Sequence, residues 1–174
     1  MVERYQELEK IPPQNIGAEV AVLRILFHNN SLIEEAKEML PAEEFYKHNH
    51  NIIYKTILRL FDENIPVDLI TLADRLEQED NLEFSGGPDY LKKLFLERSP
   101  EMETDGYSPA NLGSHIEIIH EKFLLRRLIG CARDVSAVAF MAKGLGDKSL
   151  RRNLEQLLSA AKTVINFKKN KERK

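Results

Sequence analysis

The strongest constraint on this chain is the stretch from about Asn111 to about Ala142. It contains no proline, and its two glycines, Gly113 and Gly130, are tolerable inside a helix. Along it Leu124, Leu128, Cys131, Val135, Val138 and Ala142 recur at steps of four, three, four, three and four. That is a heptad-like stripe, narrower than the broad apolar face of an ordinary core helix. Gly144 and Gly146 interrupt it, and Asp147 is suited to cap a second helix. There Leu150, Leu154, Leu157, Ala161 and Val164 repeat the stripe, with Leu158 and Ile165 widening it. Two such helices joined by a short turn pack antiparallel. Periodicity alone leaves two readings open: a pair of core helices, or a protruding hairpin that pairs with another copy of itself.

A length of 174 residues fits one domain, or a compact head with an appendage. The composition, 43% apolar and 30% charged, is that of a globular protein. A net charge of −3 argues against phosphate binding by the whole surface. The end of the chain is basic, with Lys168, Lys169, Lys171, Arg173 and Lys174 opposed only by Glu172, and reads as a solvated tail or the start of a linker. Cys131 is the sole cysteine, which excludes an internal disulfide and a cysteine zinc cluster; on the stripe it reads as a small buried hydrophobe. No run approaches the roughly 20 apolar residues of a membrane span. The charged start, MVERYQELEK, has no apolar signal core, so the expectation is a cytoplasmic protein without membrane contact.

Ahead of the hairpin the chain reads as short helices. Residues 1–13 form a flexible polar arm ending in Pro12-Pro13. Asn15 can cap a first helix to about His28, with Ala18, Val22, Ile25 and Leu26 on one face. Ser31 and Glu34 suggest a capping box for a second helix that Pro41 ends. Phe45 and Tyr46 follow as packing anchors. A third helix spans about Asn49 to Asn64, and Asp68 caps a fourth; with Thr71 rather than Glu or Gln three residues on, a single cap is expected there. Gly86-Gly87-Pro88 reads as a turn before a fifth helix from Asp89 to Arg98, and a long polar loop precedes the hairpin. The fold class expected is all-α: a small orthogonal helical head over 14–109, an antiparallel helical hairpin over 110–167 and a basic tail over 168–174.

Chemistry finds little support. Gly144 to Ser149 lacks the glycine before the lysine that a phosphate loop needs, and a helix precedes it rather than a strand. His48 and His50, two apart, point away from each other on a helix, and His115 and His120 are five apart; the histidines read as surface or capping groups. No catalytic residue, metal ligand or cofactor-binding residue stands out. A helix-turn-helix is a possible reading of the third and fourth helices, but DLITLADRLEQED is too acidic for a major groove. A small DNA-binding regulator therefore remains only an alternative.

The order of segments is more informative. PPQNIGAEVAVLRILF, LPAEEFYKHNHNIIYKTILRLF, IPVDLITLADRLE, GGPDYL and NLGSHIEIIHEKFLLRRLIGCARDV resemble, in that order, the amino-terminal domain of the bacterial replicative DNA helicase, the DnaB family. The resemblance covers roughly residues 12–167 and rests on order and spacing more than on any one motif. It implies a noncatalytic domain whose hairpins pair, building a trimer of dimers that docks a DnaG-type primase. ATP and magnesium would bind in a separate ATPase domain, and DNA would be reached only through the full-length protein. Leu124, Leu128, Cys131, Val135, Leu154, Leu157 and Ala161 then become hairpin core or pairing positions, and Ala139, Leu158 and Ile165 candidates for surplus apolar surface. The family usually carries Gln and Gly where this chain has Val20 and Arg24, implying a looser or exposed contact there, and the loop from Ser99 to Pro109 is longer than expected. The helicase-binding domain of primase, with a related head and hairpin, is the remaining alternative.

Overall fold

The computed structural model describes residues 11–97, 108–142, 144 and 147–171. Most of the expected arm, most of the polar loop after Glu97, Gly146 and the last residues of the tail lie outside the described residues. The elements are α1 (Ile16–His28), α2 (Ile33–Met39), α3 (His48–Asp62), α4 (Leu69–Gln78), α5 (Gly87–Phe95), α6 (Leu112–Met141) and α7 (Lys148–Lys171), and no strand occurs among the described residues. The chain divides into two compact units, residues 15–123 and residues 1–14 with 124–174. The head thus reaches past the boundary expected at 109 and takes the first turns of α6. The second helix of the hairpin likewise runs on to Lys171, so the first residues of the expected basic tail are helical.

In the head, α1 is the central element. Ala18, Val22, Ile25 and Leu26 are buried, but so are Ala21, Leu23, Glu19 and Arg24. A helix covered nearly all round shows little amphipathic contrast in sequence, which is why one face alone was legible. Around it pack Ile53, Tyr54 and Ile57 of α3, Leu72 and Leu76 of α4, Leu91 and Phe95 of α5, and Leu112, Ile116 and Ile119 of α6. Fully burying side chains of this size contributes about 1.5–3 kcal/mol each.

Local rules explain most boundaries. The Asn15 side chain accepts from the Ala18 N–H at 3.0 Å, as expected of a cap. Asp68 accepts from the N–H groups of Ile70 and Thr71, and Thr71 Oγ1 accepts from the Asp68 N–H at 3.0 Å. The capping box absent by sequence rule is therefore present, because a threonine hydroxyl makes the reciprocal contact usually left to glutamate. The box expected at Ser31 does not form. Ser31 Oγ bonds Asn29 Oδ1 at 2.6 Å, a 3-10 turn spans Asn30–Leu32, and α2 starts at Ile33. The α3 and α4 ends turn through Asn64 at φ 58° and Asp80 at φ 55°. Gly86, at φ 102°, makes the same kind of turn before α5, which begins at Gly87 rather than Asp89. A Cβ on Gly86 would stand 2.8 Å from Tyr90 Cγ, so both backbone and space exclude a larger residue.

Buried polar groups tie the helices together. His50, wholly buried, has Nδ1 2.7 Å from Glu19 Oε2 and Nε2 2.6 Å from the Tyr90 hydroxyl, linking α3 to α1 and α5. Glu19 also accepts the Tyr46 N–H at 2.6 Å. Burial pushes the Tyr90 phenol above its ordinary range, and the Glu19 charge adds to this. His50 is therefore a core residue, correcting its reading as a surface or capping histidine; His48 is exposed. Arg24 is also buried, donating to the carbonyls of Lys93, Leu94 and Glu97 at the end of α5. Arg24 thus satisfies the end of α5, and the looser or exposed contact expected there is not found. Phe45 packs with its ring centroid 5.0 Å from that of Tyr54, while Tyr46 is 37% exposed. His120 Nδ1 lies 2.8 and 2.9 Å from the two carboxylate oxygens of buried Glu44, fixing the first turns of α6 to the head core.

Candidate assembly surface

The unit that contains residues 124–171 is built on α7 and the greater part of α6. Asp147 caps α7 as expected, accepting from the Ser149 N–H at 2.8 Å. Arg126 Nη1 donates to the Pro13 carbonyl at 2.8 Å, so the proline pair belongs to this unit.

Leu124 is buried, and Leu128, Cys131 and Val135 are half-buried, in line down α6. Cys131 is therefore less enclosed than a core cysteine. Ala139 is exposed. On α7, Leu150 and Ala160 are buried and Leu157, Ala161 and Val164 half-buried. At 3.6 residues per turn these five fall within an arc of about 100°. Leu154, Leu158 and Ile165 form a second stripe beside it, about 40° wide. They are 41%, 59% and 53% exposed. The helix thus carries a packed stripe and an adjoining apolar stripe left open to solvent.

Sequence reasoning missed the largest exposed groups. Phe140 and Met141 are 90% and 85% exposed, and Ile129 is also open. Adjacent large apolar residues at the end of a helix cannot share one seam, and that was the available signal. Among the described residues no group of three His, Cys, Asp or Glu side chains is placed to hold a metal ion, and no helix is long and apolar enough to cross a membrane.

The fold defines an all-helical domain of compact head and two-helix hairpin with apolar side chains exposed on the hairpin. The chain belongs to the DnaB-like helicase N-terminal domain family, which it matches over residues 11–121. It is 34% identical over 157 residues to the replicative DNA helicase DnaC of Bacillus subtilis, covering 90% of this chain and 31% of that protein. It is 38% identical over 128 residues to the replicative DNA helicase DnaB of Geobacillus stearothermophilus, covering 74% of this chain and 26% of that one. The chain thus spans about a third or less of these relatives' lengths. The crystal structure of the N-terminal domain of DnaB helicase from Mycobacterium tuberculosis superimposes with a TM-score of 0.71 at 28% identity, covering 86% of this chain and 99% of that one.

Proposed function

We propose that this domain is a noncatalytic assembly and docking module of a replicative DNA helicase. Its hairpin pairs with that of a second copy, and the pairs build a three-fold collar that docks a DnaG-type primase. The observation that carries the pairing is the open stripe of Leu154, Leu158 and Ile165 beside the packed face of α7. Closing it against another copy removes apolar surface worth on the order of 1 kcal/mol per side chain. Leu124, Leu128, Cys131, Val135, Leu157 and Ala161 then serve as hairpin core, and Ala139 joins the open stripe as pairing surface. ATP and magnesium belong, in this reading, to a motor domain outside these 174 residues, which would perform the ATP-dependent unwinding.

Sedimentation velocity over a concentration series tests the pairing: the chain should pass from monomer to dimer or larger species, whereas a strictly monomeric chain at high concentration would sink it. Docking is tested separately by titrating the helicase-binding domain of a DnaG-type primase, where no heat or mobility change at saturating concentration removes that part.

A further inference from the structure

The charge of this chain is divided by region. Residues 1–123 hold 12 Lys and Arg against 24 Asp and Glu, whereas residues 124–174 hold 13 against 4. The modest total of −3 therefore hides segments of −12 and +9. In the head, cations are largely used internally: Lys37, Arg59, Arg75 and Lys92 each face a carboxylate, and Arg24 caps a helix. On α7 they are not. Lys148, Arg152, Lys162 and Lys169 are exposed and have no ion-pair partner among the described residues. The single carboxylate of this helix, Glu155, is engaged by Arg151 at 3.3 Å.

These four cations are phased. At 3.6 residues per turn they fall within an arc of about 100° and span about 32 Å of helix. That arc adjoins the open apolar stripe on the side away from the packed face, and between its cations lie exposed Ser159 and Asn166 together with Arg151 and Glu155, which pair with each other. It contains no apolar side chain. A protein partner would want an aromatic or aliphatic anchor at the centre of its footprint. A sugar-phosphate backbone wants only spaced cations with hydroxyl and amide groups between them.

We propose that this face of α7 binds the phosphodiester backbone of nucleic acid without reading sequence. It departs from the expectation that DNA is reached only through the full-length protein, and it stands apart from the pairing reading, since it uses a different sector of the helix.

The test is a fluorescence-anisotropy titration of the 174-residue chain against a labelled single-stranded oligonucleotide and its duplex, over a salt series. With four phosphate contacts, the logarithm of the affinity for the single strand should fall against the logarithm of salt with a slope of about −3, and more steeply for duplex. The double variant Lys148→Glu with Arg152→Glu, the pair farthest from the apolar stripe, should weaken binding by about tenfold or more at low salt. Its circular dichroism and sedimentation should match wild type; the single variant Lys162→Glu gives a second reading should the double variant fail to fold. Absence of binding at low salt would overturn the proposal, as would undiminished binding by the folded variants. Displacement of the oligonucleotide by polyglutamate at equal charge concentration would overturn it in favour of an acidic protein partner.

Discussion

In the head, Val22, Leu23, Leu26, Ile53, Ile57, Leu72 and Leu76 are wholly or almost wholly removed from solvent, whereas on α7 Leu154, Leu158 and Ile165 stand half open. The same contrast holds for charge. The head encloses Glu19, Glu44 and Arg24 with hydrogen-bonding partners, while α7 leaves Lys148, Arg152, Lys162 and Lys169 unpaired among the described residues. The head satisfies its buried polar groups internally, which favours a single arrangement of its core. On α7 both an apolar stripe and a set of charged groups stand exposed. Residues of similar type thus do opposite work in the two regions, and substitutions separate them.

The largest effect is expected at the buried carboxylate. Glu19→Ala removes the partner of His50 and of the Tyr46 N–H. Leaving each of these hydrogen-bonding groups without its acceptor costs about 1–3 kcal/mol, and a urea denaturation midpoint would show the sum. A near-neutral result would mean that the network is far less enclosed than its geometry indicates. High pH probes the same core. Burial raises the phenols of Tyr54 and Tyr90 above the usual 10.0. A group whose value is raised on folding contributes its full stability below its unfolded value and loses it as pH rises through the folded one. Melting temperature should therefore hold up to about pH 10 and fall beyond it. A flat profile to higher pH would show that these hydroxyls are solvated.

Smaller effects belong to the turns. Gly86→Ala places a side chain at φ 102° and 2.8 Å from Tyr90, and should cost about 1–3 kcal/mol in thermal unfolding. Unchanged stability would show that the turn can relax. Asp68→Ala removes the cap of α4 and should cost about 1 kcal/mol. The Thr71 N–H bond holds the Asp68 carboxyl below its ordinary range, so this contribution should be lost as pH falls through that lowered value. Acid titration of wild type against Asp68→Ala checks the sign.

Much of the fold was legible because it follows local rules. The Asn15 and Asp147 caps, the ends of α3 and α4 and the two long helices all write their signals within a few residues. The buried network was not, because Glu19, His50 and Tyr90 come from three helices and no spacing links them. Arg24 misled for the same reason: its acceptors lie at the far end of α5, about seventy residues on. On the hairpin, the stripe of apolar residues was visible in sequence, but its division into packed and open halves was not. Leu157 and Leu158 are neighbours of one type, and only the fold leaves one half-buried and the other 59% exposed.

The smallest cost to folding is expected where the effect on assembly is greatest. Leu158→Asp changes an exposed side chain and should alter stability by less than about 0.5 kcal/mol. It also places a charge in the middle of the open apolar stripe. Sedimentation velocity of wild type beside Leu158→Asp at matched concentrations is therefore the most direct measurement of hairpin pairing. The expected result is an assembling wild type and a folded, monomeric variant. A folded variant that assembles as well as wild type would contradict pairing through this stripe.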